Sequence, residues 1–193
     1  MQKIKVDKDY IEKRVRDILV EGVGISENDP SFKNTPKRVA KMFSDFFTGL
    51  DDDRPELENI IKRHFPVEYD GVVIRRGIKV FSLCPHHLLP SIFEVSLAFI
   101  PNKRTTGFSN ITKLIENLGR KPVLQETFTQ QIVDWMNKWL EPKGVICIVN
   151  GYHMCSEIYK VREGEATTQA SSGLYVNNHD MVMQFLKLIK EEN

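Results

Sequence analysis

Apolar residues recur every three or four positions near the start of the chain. Ile11, Val15, Ile18 and Leu19 share that spacing within residues 9–20, which predicts an amphipathic helix. GISENDPSFKN, residues 24–34, breaks the pattern with Gly, Asn, Asp and Pro and reads as a loop. A second helix is predicted with Thr35 as N-cap and Pro36 at its first position, running through Met42 and Phe46 to Gly49. A short helix is predicted around residues 55–64, so residues 1–65 form an N-terminal helical region and residues 66–193 the main domain.

From Gly71 the period shortens. Val73, Ile74, Ile78, Val80 and Phe81 predict one strand, and Phe93, Val95, Leu97, Phe99 and Ile100 an alternating second one that ends at Pro101-Asn102. Helix returns over residues 109–118, with Ile111, Leu114, Ile115 and Leu118 on one face. Pro122 is read as opening a longer helix through Leu124, Phe128, Ile132, Trp135, Met136 and Leu140, stopped by Pro142-Lys143-Gly144. GVICIVNG is nearly all apolar and predicts a strand buried on both faces. Residues 156–162 and 167–175 are read as two further strands joined near Glu163-Gly164, and residues 179–190 as a final helix. Helices, strands, helices, strands and a closing helix make an α+β pattern, whose open sheet edges favour assembly.

Composition narrows the function classes. A formal net charge of +1 leaves no global field to attract nucleic acid or an anionic membrane, so any anion site is a local cluster. No apolar run is long enough to span a bilayer. The charged start MQKIKVDKDY lacks the apolar stretch of a signal peptide, so a cytoplasmic protein is expected. Three cysteines make no disulfide framework and point to metal, catalysis or burial. Cys147, between Ile146 and Ile148, fits burial.

The other two cysteines sit beside histidines. In Cys84-Pro85-His86-His87, a thiolate and an imidazole three residues apart on a turn can share one ion. In His153-Met154-Cys155, residues two apart in an extended segment point the same way, so both can face one pocket. Cys84, His87 and Cys155 then make three ligands suited to Zn2+ with an open position, leaving His86 and His153 as spare imidazoles. Zinc lowers the pKa of its water to roughly 7, and histidines transfer protons in the same range. A closed structural zinc with His86 as fourth ligand fits the spacing equally well.

The order of these segments resembles the GTP cyclohydrolase I family from about Thr35 to the C-terminal helix. TPKRVAKM resembles its entry helix, CPHH its Cys-Glu-His-His zinc turn, and IPNKRTTGFSNITKLIE its strand exit and following helix. LQETFTQQI resembles its Val-Gln-Glu-Arg-Leu-Thr segment and YHMC its His-x-Cys. The resemblance implies the tunnelling fold, an antiparallel four-stranded sheet with helices on one face, here with an N-terminal helical extension. It implies hydrolysis of GTP at C8 of guanine, release of formate and rearrangement to 7,8-dihydroneopterin triphosphate. It implies a homo-oligomer, a decameric ring with shared active sites. Folate, tetrahydrobiopterin and deazapurine synthesis all start from this reaction.

By the same resemblance Cys84, His87 and Cys155 hold zinc, and His86 and His153 move protons. Glu126 anchors the purine by accepting from guanine N1–H and the 2-amino group, and Gln125 arrives from a neighbouring subunit to position the reacting ring. For the triphosphate, Arg38, Lys41 and Ser109 match the family and Lys113 replaces an arginine. Asn110 and Tyr159 stand where a lysine and an arginine are expected, Pro85 replaces a glutamate, and Phe93-Glu94 replace a glycine-lysine pair. Lys103, Arg104, Lys160 and Arg162 are candidate replacements for the missing charge. Two alternatives follow from these departures. One is a divergent zinc hydrolase of the same fold acting on another guanine nucleotide. The other is a non-catalytic ring protein that binds purine or pterin.

Overall fold

The computed structural model describes residues 5–50, 55–159 and 165–190. The chain divides into two compact units, Met1–Asp53 and Arg54–Asn193.

In the first unit, helix α1 (Lys8–Asp17) is capped by Asp7, whose carboxylate accepts from the Tyr10 amide at 3.0 Å. A π-helical turn, Ile18–Gly22, extends it. Helix α2 (Thr35–Phe47) begins one residue earlier than its sequence suggests. The Asn34 carbonyl accepts from the Arg38 amide at 3.1 Å, so Asn34 rather than Thr35 is the flanking cap residue.

The second unit carries, in chain order, α3 (Pro55–Ile61), β1 (Phe65–Pro66), β2 (Val73–Leu83), β3 (Pro90–Ile100), β4 (Arg104–Thr105), α4 (Phe108–Gly119), α5 (Gln125–Leu140), β5 (Gly144–His153), α6 (Met154–Ile158), β6 (Ala166–Gly173) and α7 (His179–Lys190). The helix at residues 55–61, read from the sequence as part of the N-terminal region, thus counts with the sheet. Strands β2, β3, β5 and β6 form a four-stranded antiparallel sheet in that order, and the two-residue strands β1 and β4 pair separately.

Alternation on the strands assigns the two faces. Val80, Val95, Leu97, Phe99, Val145, Cys147 and Val149 pack under Ile111, Leu114, Ile115 and Leu118 of α4 and Phe128, Ile132 and Met136 of α5. The intervening Ala98, Ile100, Ile146 and Ile148 pack with Tyr175 and with Phe185 of α7. Helices α4 and α5 therefore cover one face, and α7 covers part of the other. Double coverage explains the unbroken apolar run of GVICIVNG. Toward Tyr152, which is 40% exposed, the second face is open and polar residues return at Glu94 and Asn150. A bulge between Arg75 and Ile78, with Gly77 at φ +69°, shifts the β2 register on the way to the Cys84 turn.

Two sequence readings are corrected here. Pro122 does not open a helix: it bridges Leu83, and α5 starts at Gln125 after Leu124 as cap. Residues 154–158 are helical rather than extended, and residues 160–162 of the strand read at 156–162 lie outside the described residues.

Candidate functional site

The β2–β3 connection is a tight six-residue turn, 84–89. Its ends are tied by the Cys84 amide donating to the Leu89 carbonyl and the Leu88 amide to the Cys84 carbonyl, both at 2.8 Å. Leu88 adopts φ +54°, an uncommon conformation for a residue with a bulky side chain. The turn buries Cys84 and leaves His86 and His87 exposed.

Cys155 reaches the same place by a different geometry from the expected one. Strand β5 ends at His153 and helix α6 begins at Met154, so a strand-to-helix turn, not strand alternation, carries the thiol to Cys84. The donor atoms of Cys84, His87 and Cys155 lie within 4.8 Å of one another. Cys84 Sγ is 3.7 Å from His87 Nδ1, and sulfur and nitrogen ligands of one tetrahedral zinc lie about 3.5 Å apart. Burial raises the Cys155 pKa, and the facing Cys84 thiol raises it further. A cation between the two sulfurs would reverse that penalty, so two thiols and an imidazole with a side left open fit zinc.

Helix α5 is brought alongside by three contacts with the end of β2. Ser82 Oγ donates to the Lys121 carbonyl at 2.8 Å, the Val123 amide donates to the Leu83 carbonyl at 3.2 Å, and Leu83 bridges Pro122. The first turn of α5 therefore opens beside Cys84. A cavity of about 270 Å³ results, with Cys84, His86, Gln125, Glu126, His153 and Cys155 in its wall. Glu126 is exposed there in the first helical turn, where the helix dipole favours a carboxylate.

Gln125 is 3% exposed and fully committed within its own chain. Its Nε2 donates to the Val149 carbonyl at 2.9 Å and the Ala166 carbonyl at 2.7 Å. Its Oε1 meets His153 Nε2 at 2.8 Å. The expected arrival of Gln125 from a neighbouring subunit is thus corrected: α5 lies on β5, and Gly151 leaves room for the amide, because a Cβ there would overlap it. On the other side of the imidazole, Ser91 Oγ lies 3.2 Å from His153 Nδ1. Neither Ser91 nor Gly151 stands out in the sequence, although Ser91 faces His153 across the β3–β5 register.

The remaining candidates lie elsewhere. Ser109 and Lys113 are exposed on α4 and do not line this cavity. Arg38 and Lys41 belong to α2 in the first unit, where Lys41 pairs with Asp45. Asn110 is buried, and its amide donates to Thr106 Oγ1 at 3.1 Å, which in turn donates to the Arg63 carbonyl at 2.7 Å. It is thus part of the packing rather than a surface contact. The Tyr159 ring lies 5.1 Å from that of His87. Phe93 is fully buried, 5.2 Å from Phe128 and 5.8 Å from the His153 ring. Among the candidate replacement charges, Arg104 pairs with Glu141 at 2.9 Å, while Lys160 and Arg162 lie outside the described residues.

Comparison with known proteins points to one family. The family model described as GTP cyclohydrolase I matches residues 11–190. A GTP cyclohydrolase 1 of Carboxydothermus hydrogenoformans is 36% identical over 90% of this chain and 90% of its own length. Those of Desulforamulus reducens (36% identical, 95% of this chain and 97% of theirs) and Aquifex aeolicus (34%, 96% and 98%) match over still more. A nearly full-length family match, together with a Cys-His-Cys cluster whose two cysteines line a cavity, establishes that the chain belongs to the GTP cyclohydrolase I family, hydrolases that act on the imidazole ring of GTP.

Proposed function

We propose that the cavity takes the guanine of GTP beside a zinc ion held by Cys84, His87 and Cys155, and that formate and 7,8-dihydroneopterin triphosphate leave it. The observation that carries this reading is a Cys-His-Cys donor set whose two cysteines line the same opening as Glu126, His86 and His153. Zinc bound there would lower the pKa of a water on its open side and polarise it for hydrolysis.

The chain's own residues supply the rest. Glu126 offers two acceptor oxygens to the adjacent N1–H and 2-amino donors of guanine and none of the donors that adenine N1 would need. His86, exposed on the turn, exchanges a proton at a ring nitrogen. His153 holds a second proton at Nε2, aimed along the Gln125 side of the cavity. Gln125 keeps that imidazole in place. Ser109 and Lys113, lying off this cavity, serve the triphosphate in a neighbouring copy's site, with Arg38 and Lys41 as further phosphate contacts. The proposed assembly is a homo-oligomer with shared sites, a decameric ring.

Asn110, turned into the packing, and Tyr159, set against His87, give the triphosphate a weaker grip than a lysine and an arginine would. Each lost charge-assisted contact is worth about 1.5–3 kcal/mol. The test is to incubate zinc-loaded protein with GTP, GDP and dGTP, and to assay formate and, after mild oxidation, pterin fluorescence. Both signals with GTP, abolished by chelation, are expected. No signal from any guanine nucleotide, with zinc bound and the fold intact, would overturn the reading.

A further inference from the structure

Gln125 determines where the proton on His153 resides. Both carbonyl oxygens facing the Gln125 amide, those of Val149 and Ala166, can only accept, so the –NH2 end must point at them. The atom 2.8 Å from His153 Nε2 is therefore the amide oxygen, also an acceptor only. The hydrogen between them must come from the ring, which places it on Nε2. In the neutral ring Nδ1 then carries the lone pair, and the Ser91 hydroxyl at 3.2 Å donates to it.

Ser91 is 1% exposed and sits directly opposite His153 in the β3–β5 register. It is not in the cavity wall, whereas Gln125 and His153 are. The Phe93 ring packs edge-to-face with the imidazole, centroids 5.8 Å apart, and a half-turn of the imidazole would replace both nitrogens by carbons and break both hydrogen bonds. We infer that Ser91 is a positioning residue for His153, which it holds together with Gln125 in the Nε2–H tautomer, the proton on the cavity side and the lone pair turned away. What His153 does for the substrate rests on the proposed function above; how it is held does not.

The test uses the full zinc-loaded chain labelled with ¹⁵N-histidine, without substrate. Correlation spectra of the ring nitrogens are expected to show His153 protonated at Nε2, and Ser91→Ala to show a mixture of tautomers or a broadened ring. Formate release from GTP is expected to lose about tenfold in kcat in Ser91→Ala, with KM within about twofold, as a misdirected proton donor would cause. Ser91→Thr, which keeps the hydroxyl, restores both. A wild-type ring protonated at Nδ1 overturns the inference without any variant having to fold. So does a Ser91→Ala protein whose spectrum matches wild type, whatever its kcat. If wild-type protein releases no formate, the functional reading fails and the spectra alone judge the role of Ser91.

Discussion

Gly151→Ala tests the geometry around His153 through stability. The added methyl would lie 2.7 Å from Gln125 Cδ and closer still to Oε1, so the amide must swing away. That breaks two bonds to backbone carbonyls and one to His153. At about 1 kcal/mol net each the loss is about 3 kcal/mol. Alanine in a strand regains about 0.5–1 kcal/mol over glycine, leaving a net cost of about 2 kcal/mol. For a chain of this size that lowers the melting temperature by about 4–8 °C. The assay is a double-mutant cycle with Gln125→Ala, read by thermal and denaturant unfolding. If the amide is what the methyl meets, Gly151→Ala costs nothing, or stabilises slightly, once Gln125 is gone. An equal cost in both backgrounds would refute the reasoning, because the methyl would then be meeting something else.

Four further outcomes are expected. Cys84→Ser and Cys155→Ala each abolish stoichiometric zinc binding, measured by metal analysis after dialysis. Cys147→Ala keeps the metal, and because burial pushes the Cys147 thiol far above its ordinary pKa, it resists alkylation in metal-free native protein while Cys155 reacts. Glu126→Ala lowers kcat/KM for GTP by about 10- to 100-fold, the loss of about 1.5–3 kcal/mol from a charged acceptor, with unchanged zinc content. Burial also raises the pKa of Tyr175. Its stability contribution is therefore complete below the unfolded value near 10 and lost as pH rises through the higher folded value. Tyr175→Phe should flatten the decline in stability seen by denaturant titration above pH ~10.

The candidate ligands were legible because their chemistry is carried by residue type: a cysteine three residues before a histidine is a weak signal alone, and a second histidine–cysteine pair in the family's motif order strengthens it. Their geometry was less so. Cys155 was read as extended because His153 ends an apolar strand, yet the chain turns helical at Met154, and local pattern over five residues cannot separate the two. Gln125 and Glu126 are adjacent in sequence and similar in character. Only the docking of α5 against Leu83 and β5 sends one inward to His153 and leaves the other at the cavity. Asn110 reads as a surface position in the sequence, and only the folded chain turns its amide inward to Thr106.

By itself the sequence determined most of the element types, the doubly buried GVICIVNG strand, a set of residues that could hold a metal, and the family, because periodicity, residue chemistry and motif order are properties of the string. The tertiary structure decided what depends on distant segments meeting. Ser91 and His153 are 62 residues apart, and Gln125 and Ala166 are 41. Their contacts exist only because β3, β5 and β6 pair in one register and α5 lies across them, and no local pattern of polar and apolar residues encodes that register's consequences for a single imidazole.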